Sequence, residues 1–173
     1  RIISMLNIKQ NELVVDYKGI YSVEKFIVAR KLMYWQVYLH KTVVSAENML
    51  IKVLERVKIL ITNKSKVYTT PALKILLKNN FSKKDIDHNL NLLDSFSALD
   101  DYDIYTCLKY WQNSDDFVLS RLSSRIMNRK LLKIKLVKQP ILEKEKTKLI
   151  DLFSKKNNCS QDEASYFIFS YKI

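Results

Sequence analysis

Apolar side chains recur at helical spacing over most of the first 130 positions. No Gly or Pro interrupts residues 23–61, so this stretch predicts either one very long helix or two helices joined near His40, with Ser22 as the N-cap. Further helices are predicted over Pro71–Lys78, from the Ser82 and Asp85 capping pair onward, over residues 97–111, and from Ser114 or Asp115 to about Arg129. The pattern therefore predicts a mainly helical body.

Alternating apolar and polar positions occur near both ends of the sequence. Residues 1–6 resemble the end of a helix, and residues 12–22 predict an extended pair whose turn is Tyr17-Lys18-Gly19, with Gly19 supplying a permissive backbone. Residues 131–137 and 165–171 alternate as half-buried strands on either side of an amphipathic helix over residues 143–156. We therefore expect a mainly α fold, with a helical body over residues 1–130, a hairpin at about residues 12–21, and a small β-α-β (α+β) unit over residues 131–173.

Both ends of the sequence are typical of a segment cut from a longer chain. Position 1 is Arg, and the final residues YFIFSYKI would form a strand that stops without a turn or a polar tail. The opening RIISML is too short an apolar stretch for a signal peptide, and no apolar run reaches the roughly 18 residues of a membrane span. Cys107 and Cys159 lie outside any CxxC pair, which is typical of reduced structural thiols. These features predict a cytoplasmic protein that makes no contact with a membrane.

Composition narrows the candidate chemistry in two ways. Gly19 is the only glycine, which excludes Walker-type phosphate loops and GxGxxG dinucleotide turns, because both need glycine where the backbone approaches a phosphate. The 30 Lys and Arg against 18 Asp and Glu leave a formal net charge of +12, which favours acidic partners: nucleic acid, nucleotides or an anionic membrane surface. Lysines also keep a helical surface soluble, so charge alone does not name a partner.

The segment with the most chemical content is ARKLMYWQVYLHKT, residues 29–42. On a helix, one face of this region forms a predicted core-facing stripe of Val28, Leu32, Trp35, Leu39, Val43 and Ala46. The opposite side carries Arg30, Tyr34, Tyr38 and Lys41 on a line about 16 Å long. An arginine fork and a lysine suit phosphate oxygens, and tyrosine suits a sugar or a base. The alternative is a solvated face, or one whose tyrosines pack across helices.

This spacing, R-x3-[HY]-x3-Y-x-H-K, resembles the helix that follows the catalytic core in HD-domain phosphohydrolases. The likeness is to the deoxynucleoside triphosphate triphosphohydrolase branch, which includes the vertebrate SAM-and-HD-domain enzyme. It begins in VEKFIVARKLMYWQVYLHKTVVSAENML and continues in LDDYDIYTCLKYW and SSRIMNRKLLKIKL, so it spans most of residues 1–137. The resemblance implies the helical C-terminal portion of an HD-domain protein that forms homo-oligomers and acts on (deoxy)nucleoside triphosphates.

The resemblance also implies substrate-binding residues. Arg30 matches the family arginine that binds substrate phosphate. Tyr34 stands where some members have a histidine near the substrate, and Tyr38 matches the tyrosine packed beside the sugar.

A second group of residues is implied for regulation. His40 and Lys41 match residues that, in allosterically controlled members, face an activating nucleotide at a subunit interface. Arg129 and Lys133 stand where those members carry further basic residues at the same regulatory site.

The sequence departs from the family at the metal. The family holds a divalent metal with an H…HD…D pattern, but this sequence has no His-Asp dipeptide and its two histidines are His40 and His88. The resemblance places the last metal aspartate upstream of residue 1. We therefore expect no metal site and no catalytic residue in this chain, and no hydrolysis by the chain alone. The parent protein would be the enzyme, with Mg, Mn, Fe or Zn as cofactor and the missing N-terminal HD segment as partner.

A second hypothesis is a non-enzymatic basic helical module that binds nucleic acid. It predicts lysines concentrated on one face and an affinity that falls steeply with salt. Lys and Arg are instead spread along the whole chain, and no nucleic-acid motif is present. The phosphohydrolase hypothesis is therefore favoured.

Overall fold

The computed structural model describes residues 2–78, 81–82, 85, 89–135, 137 and 139–171, and these are mainly helical. Two strands, β1 (Leu6–Lys9) and β2 (Glu12–Val15), precede the helices α1 (Ile20–Met33), α2 (Lys41–Thr62), α3 (Pro71–Lys78), α4 (Leu90–Ser97), α5 (Asp101–Trp111), α6 (Phe117–Met127), α7 (Glu143–Asn157) and α8 (Gln161–Ser165). Short 3₁₀ turns lie at Ile3–Met5 and Tyr17–Gly19, and a π-helical turn lies at Tyr34–Tyr38. Within the described residues, no helix combines the length and the apolar character needed to cross a bilayer.

The chain forms two compact units, Arg1–Val44 and Ser45–Ile173. The division falls in the first turn of α2, whereas the sequence suggested a boundary near residue 130. The predicted domain assignment, residues 1–130 and 131–173, stays a prediction.

The first unit begins with an antiparallel hairpin, as predicted, but at a different position from residues 12–21. β1 and β2 pair in the register that places Ile8 opposite Leu13. The connecting residues, Gln10 and Asn11, have φ angles of 53° and 64°, as a two-residue type I′ turn requires. The predicted turn at Tyr17–Gly19 was wrong because that segment is a 3₁₀ turn leading into α1. The helix end expected over residues 1–6 is also wrong, since a 3₁₀ turn and the start of β1 lie there.

Gly19 is needed for close packing and not for a permissive backbone. Its φ of −89° is ordinary right-handed geometry, so this part of the prediction was wrong. A Cβ at this position would lie 2.9 Å from Met5 Cβ and 2.9 Å from Val15 Cγ1. Because real Cβ atoms do not approach that closely, only glycine lets the start of α1 pack against the hairpin segment.

The long helical stretch is two helices joined near His40, which was one of the two predicted alternatives. α1 begins at Ile20, so the predicted N-cap Ser22 lies inside the helix. The core-facing stripe predicted for this stretch was wrong in its first half, where four side chains are exposed: Val28, Leu32, Trp35 and Leu39. The apolar side chains of α1 point in all directions, and none of them is buried in this chain.

The hydrophobic core lies in the second unit. α2 contributes Met49, Val53 and Val57, which are spaced four residues apart and have no exposed surface. The other buried members come mainly from α5 and α6, which pack against each other: Leu73, Cys107, Leu108, Trp111, Val118, Leu119, Leu122 and Phe167. The Trp111 indole Nε1 donates a 2.7 Å hydrogen bond to the Tyr68 carbonyl, so its polar atom is satisfied inside the core.

A half-buried ion pair joins α2 to the start of α6. Arg56 donates from Nη2 to Asp116 Oδ2 at 2.6 Å and from Nε to the same oxygen at 3.0 Å. The Asp116 carboxylate also accepts the Leu119 N–H at 2.9 Å, so Asp116 is the N-cap, where Ser114 or Asp115 was predicted. The hydrogen bond from Arg56 to Asp116 raises the pKa of Arg56.

Two helices have bounds at, or within one residue of, the predicted positions. The bounds Pro71–Lys78 are confirmed, and α7 extends one residue beyond the predicted end at residue 156. Ser82 and Asp85 exchange hydrogen bonds as a capping pair, although the helix predicted after them falls largely outside the described residues. The helix predicted over residues 97–111 begins later than expected, because Asp100 caps α5 with a capping box.

The predicted β-α-β unit is wrong outside its helix. No strand forms among the described residues of 131–171. The Leu132 N–H lies 3.2 Å from Met49 Sδ, and the Leu132 carbonyl accepts a 2.8 Å hydrogen bond from the Ser45 hydroxyl. Side chains of α2 therefore contact the backbone groups that a strand would use for pairing. The stretch predicted as the last strand begins at the end of α8 and continues into a turn, where Phe167 stacks on Phe153 at a centroid distance of 4.9 Å.

Candidate functional site

The first unit places the three predicted substrate-binding residues in one row. Arg30 lies in the last turn of α1, and Tyr34 and Tyr38 are the first and last residues of the π-helical turn. The Arg30 guanidinium carbon lies 5.6 Å from the centroid of the Tyr34 ring. The Tyr34 and Tyr38 rings are 5.0 Å apart and tilted by 46°. We call these three residues the Arg–Tyr row.

The Arg–Tyr row is open to a ligand. Tyr34 is 45% exposed, Tyr38 is 51% exposed, and Arg30 is also exposed. Within the described part of the chain, no ion pair joins Arg30 to a carboxylate. A guanidinium that lies over a ring keeps its N–H donors in its own plane, so they stay available for an anion. The row can therefore offer charged donors next to two phenol groups.

The π-helical turn sets the geometry of the row. The Leu39 N–H donates to the Tyr34 carbonyl at 2.8 Å, five residues back instead of four. Such turns often occur at functional sites, because the additional residue changes the direction of the side chains that follow. The prediction rested on a uniform α-helical spacing and therefore did not include the π-helical turn. The helix break predicted near His40 was the only sequence signal close to this turn.

His40 has a structural role at the start of α2. Its Nδ1 accepts the Thr42 N–H at 3.3 Å, and its carbonyl accepts the Val44 N–H at 3.1 Å. This is the geometry of an N-cap, whose side chain accepts from the second helical residue. Lys41 follows as the first residue of α2 and is exposed. The regulatory role of His40 and Lys41 stays a prediction.

Arg129 and Lys133 lie in the second unit and are exposed. Arg129 follows α6 with a φ of 55°, a left-handed conformation that is uncommon for arginine. The Arg129 N–H donates to the Ile126 carbonyl and the Lys130 N–H to the Arg125 carbonyl, which closes α6 as a Schellman motif. Lys133 lies in the irregular segment after it. Their regulatory role also stays a prediction.

A second cation–aromatic contact was missed from the sequence. Lys31 Nζ lies 5.0 Å from the centroid of the Trp35 ring, and Trp35 is 62% exposed. The spacing of four residues between a cation and an aromatic side chain was a usable signal. It was overlooked because Trp35 had been assigned to the core.

The described residues do not supply a ligand set for a divalent metal. No three His, Cys, Asp or Glu side chains converge anywhere in the described part of the chain. His40 Nδ1 is already bound to the Thr42 N–H, and His88 lies outside the described residues.

Comparison with known proteins gives this geometry a context. Residues 1–71, which contain the whole Arg–Tyr row, match the family described as HD associated region. The match supports an HD-domain-related family. The crystal structure of a phosphohydrolase from Bacteroides thetaiotaomicron superimposes with a TM-score of 0.89 and 42% sequence identity, over 95% of this chain and 42% of that chain. The uncharacterized protein YwfO of Bacillus subtilis is 30% identical over 131 residues, which cover 76% of this chain and 28% of YwfO. The chain thus spans less than half of the length of either protein.

Proposed function

We propose that this chain is part of a cytoplasmic, metal-dependent HD-family phosphohydrolase that acts on (deoxy)nucleoside triphosphates. The observation that carries the proposal is the Arg–Tyr row, an exposed guanidinium next to two exposed phenols. The Arg30 guanidinium carbon lies 5.6 Å from the centroid of the Tyr34 ring, and the Tyr34 and Tyr38 ring centroids are 5.0 Å apart. The row lies in the region that matches the HD associated family. The similarity to a Bacteroides protein named as a phosphohydrolase supports the same class of reaction.

Each member of the row suits a different part of a nucleotide. Arg30 offers in-plane N–H donors that fit the oxygens of a phosphate, in charge-assisted hydrogen bonds. Tyr34 and Tyr38 offer ring faces and hydroxyl groups that suit a sugar or a base. In the proposal, these residues bind and orient the substrate, and the chain contains no catalytic residue.

The proposal assigns the divalent metal, Mg, Mn, Fe or Zn, to the HD segment of the intact protein. Such a segment would also give α1 a partner. The apolar side chains of α1 point in all directions, which is typical of a helix that is buried on all sides, yet none of them is buried in this chain. Contacts in a homo-oligomer, and a regulatory or interface role for His40, Lys41, Arg129 and Lys133, belong to the same proposal.

The experiment is phosphate and tripolyphosphate release from a panel of deoxynucleoside triphosphates by the intact protein, with Mg²⁺ or Mn²⁺. We expect hydrolysis of at least one nucleotide by the intact protein and none by residues 1–173 alone. If a folded and metal-loaded intact protein hydrolyses no nucleotide, the proposed activity is wrong.

A further inference from the structure

A basic cleft in the second unit is not used by the proposed function. It has a volume of about 540 Å³ and lies between the end of α2, the loop that follows it and the outer face of α3. Four lysines line it: Lys64, Lys66, Lys74 and Lys78. Its remaining lining residues are Ile61, Ser65, Val67, Tyr68 and Thr69, so no acidic side chain takes part. Within the described residues, no ion pair joins any of the four lysines to a carboxylate.

The backbone holds Lys64 in an unusual conformation at the edge of this cleft. Its φ is 58°, the left-handed region in which Gly or Asn is the usual choice after a helix. The Ser65 N–H donates to the Leu60 carbonyl at 2.9 Å and the Lys64 N–H to the Ile61 carbonyl at 3.0 Å, which is a Schellman motif. A lysine is therefore present where glycine would be the less strained residue, and strain of this kind is frequent at binding sites.

The loop that carries the cleft is held in place from several sides. Val67 packs against the hydrophobic core, and the Tyr68 carbonyl accepts the Trp111 Nε1–H at 2.7 Å. The Tyr68 ring stacks on Tyr110 at a centroid distance of 4.0 Å. These contacts fix the loop that carries Lys64 and Lys66 before any ligand binds, and a preformed site loses less conformational entropy when it binds.

We propose that this cleft binds the phosphate chain of a small oligophosphate ligand. Four lysines with no acidic side chain in the same lining give the cleft a positive charge, and a compact ligand with several negative charges complements that charge. The hydroxyls of Ser65, Tyr68 and Thr69 add neutral hydrogen-bond donors. The volume of the cleft is in the range of small-molecule sites and is large enough for a short phosphate chain. The ligand is either a nucleoside triphosphate or inorganic tripolyphosphate, since both present the same chain.

The test is isothermal titration calorimetry on the full chain, with three probes: tripolyphosphate, a nucleoside triphosphate and orthophosphate. The first two should bind and orthophosphate should bind at least about tenfold more weakly, because it contacts fewer lysines. Equal affinities for the first two would show that only the phosphate chain is recognised. Tighter binding of the nucleoside triphosphate would identify a nucleotide as the ligand.

Two variants and one control locate the binding. Lys64→Gly and Lys74→Gln each remove one charge from the cleft and should weaken tripolyphosphate binding about tenfold or more. Lys64→Gly also relieves the left-handed strain, so its melting temperature should be no lower than that of the wild type, which separates lost binding from lost folding. The control, Lys148→Gln on the exposed surface of α7, removes the same charge elsewhere and should change the affinity less than about threefold.

Two results would overturn the proposal. One is tripolyphosphate affinity that is absent, or that is the same in both cleft variants as in the wild type. The other is a single-stranded oligonucleotide that binds more tightly than either small ligand, with an affinity that falls steeply as salt rises, since that would make the cleft part of a nucleic-acid surface.

Discussion

At the scale of single residues, the Asp116 carboxylate has two roles. It caps α6 through the Leu119 N–H and forms an ion pair with Arg56. The Asp116 side chain is only 13% exposed and the Arg56 side chain 18%. The sequence suggested Ser114 or Asp115 as the cap because three consecutive residues could serve locally. Asp116 also contacts Arg56, which lies 60 residues earlier in the chain, and the local sequence does not reveal that contact.

Replacing Asp116 should therefore be costly. We expect Asp116→Ala to lower the free energy of unfolding by about 2–4 kcal/mol, because the change removes a helix cap and leaves a half-buried guanidinium unpaired. The remaining solvent exposure of the pair keeps the loss below that of a fully buried pair. Urea denaturation measures it. Asp115→Ala, at the exposed neighbouring position, is the control and should change stability by less than about 0.5 kcal/mol. Equal effects of the two changes would contradict the assigned role.

At the scale of elements, helices were predicted well because their signals are local. Apolar spacing and the proline at position 71 were sufficient for the bounds of α3, and apolar spacing was nearly sufficient for those of α7. The last two predicted strands were wrong because alternation alone does not supply a partner strand. Leu131 and Leu132 are adjacent, yet both pack against the core from irregular backbone, which the two faces of a strand would not allow.

Part of the candidate site was predicted because its contacts, like the helix signals, depend on local spacing. The contacts within the Arg–Tyr row follow from a spacing of four residues, which helical geometry brings together. The π-helical turn and the exposure of α1 could not be predicted, because the first depends on backbone hydrogen bonds and the second on what else contacts the helix. The hairpin lies earlier in the sequence than predicted, because Gln10 and Asn11 form its turn and the single glycine does not.

The hairpin turn offers a test at this scale. Gln10 and Asn11 both have positive φ, and the pair that best suits such a turn is Asn-Gly. The double change Gln10→Asn/Asn11→Gly should stabilise the hairpin by about 0.5–1 kcal/mol, seen as slower amide hydrogen exchange in β1 and β2. The opposite pair, Gln10→Thr/Asn11→Thr, places β-branched residues at positive φ and should speed exchange. Faster exchange in the Asn-Gly variant would show that the turn lies elsewhere.

At the scale of the whole molecule, the two units differ in how they are stabilised. The second unit contains the hydrophobic core, whereas α1 in the first unit buries none of its side chains. Helices with few buried apolar contacts open more easily. We therefore expect the stability of α1 to depend on contacts that residues 1–173 alone do not provide.

Hydrogen exchange on the chain of residues 1–173 tests this directly. Amides of α1 should exchange at least about a hundredfold faster than those of α5 and α6, because opening α1 exposes little additional apolar surface. In the intact protein, the proposed HD segment should cover α1 and slow its exchange. Equal protection of α1 and α5 in the shorter chain would contradict this account.

Steady-state kinetics of the intact protein test the proposed role of Arg30, which is to bind substrate phosphate. Arg30→Ala should lower kcat/KM for the preferred nucleotide roughly tenfold to over a hundredfold, because it removes a charge-assisted contact worth about 1.5–3 kcal/mol. Lys31→Ala is the matched control: it removes the neighbouring cation, which lies over Trp35, and should change kcat/KM less than about threefold. Equal losses in the two variants, or full activity in Arg30→Ala, would contradict the account.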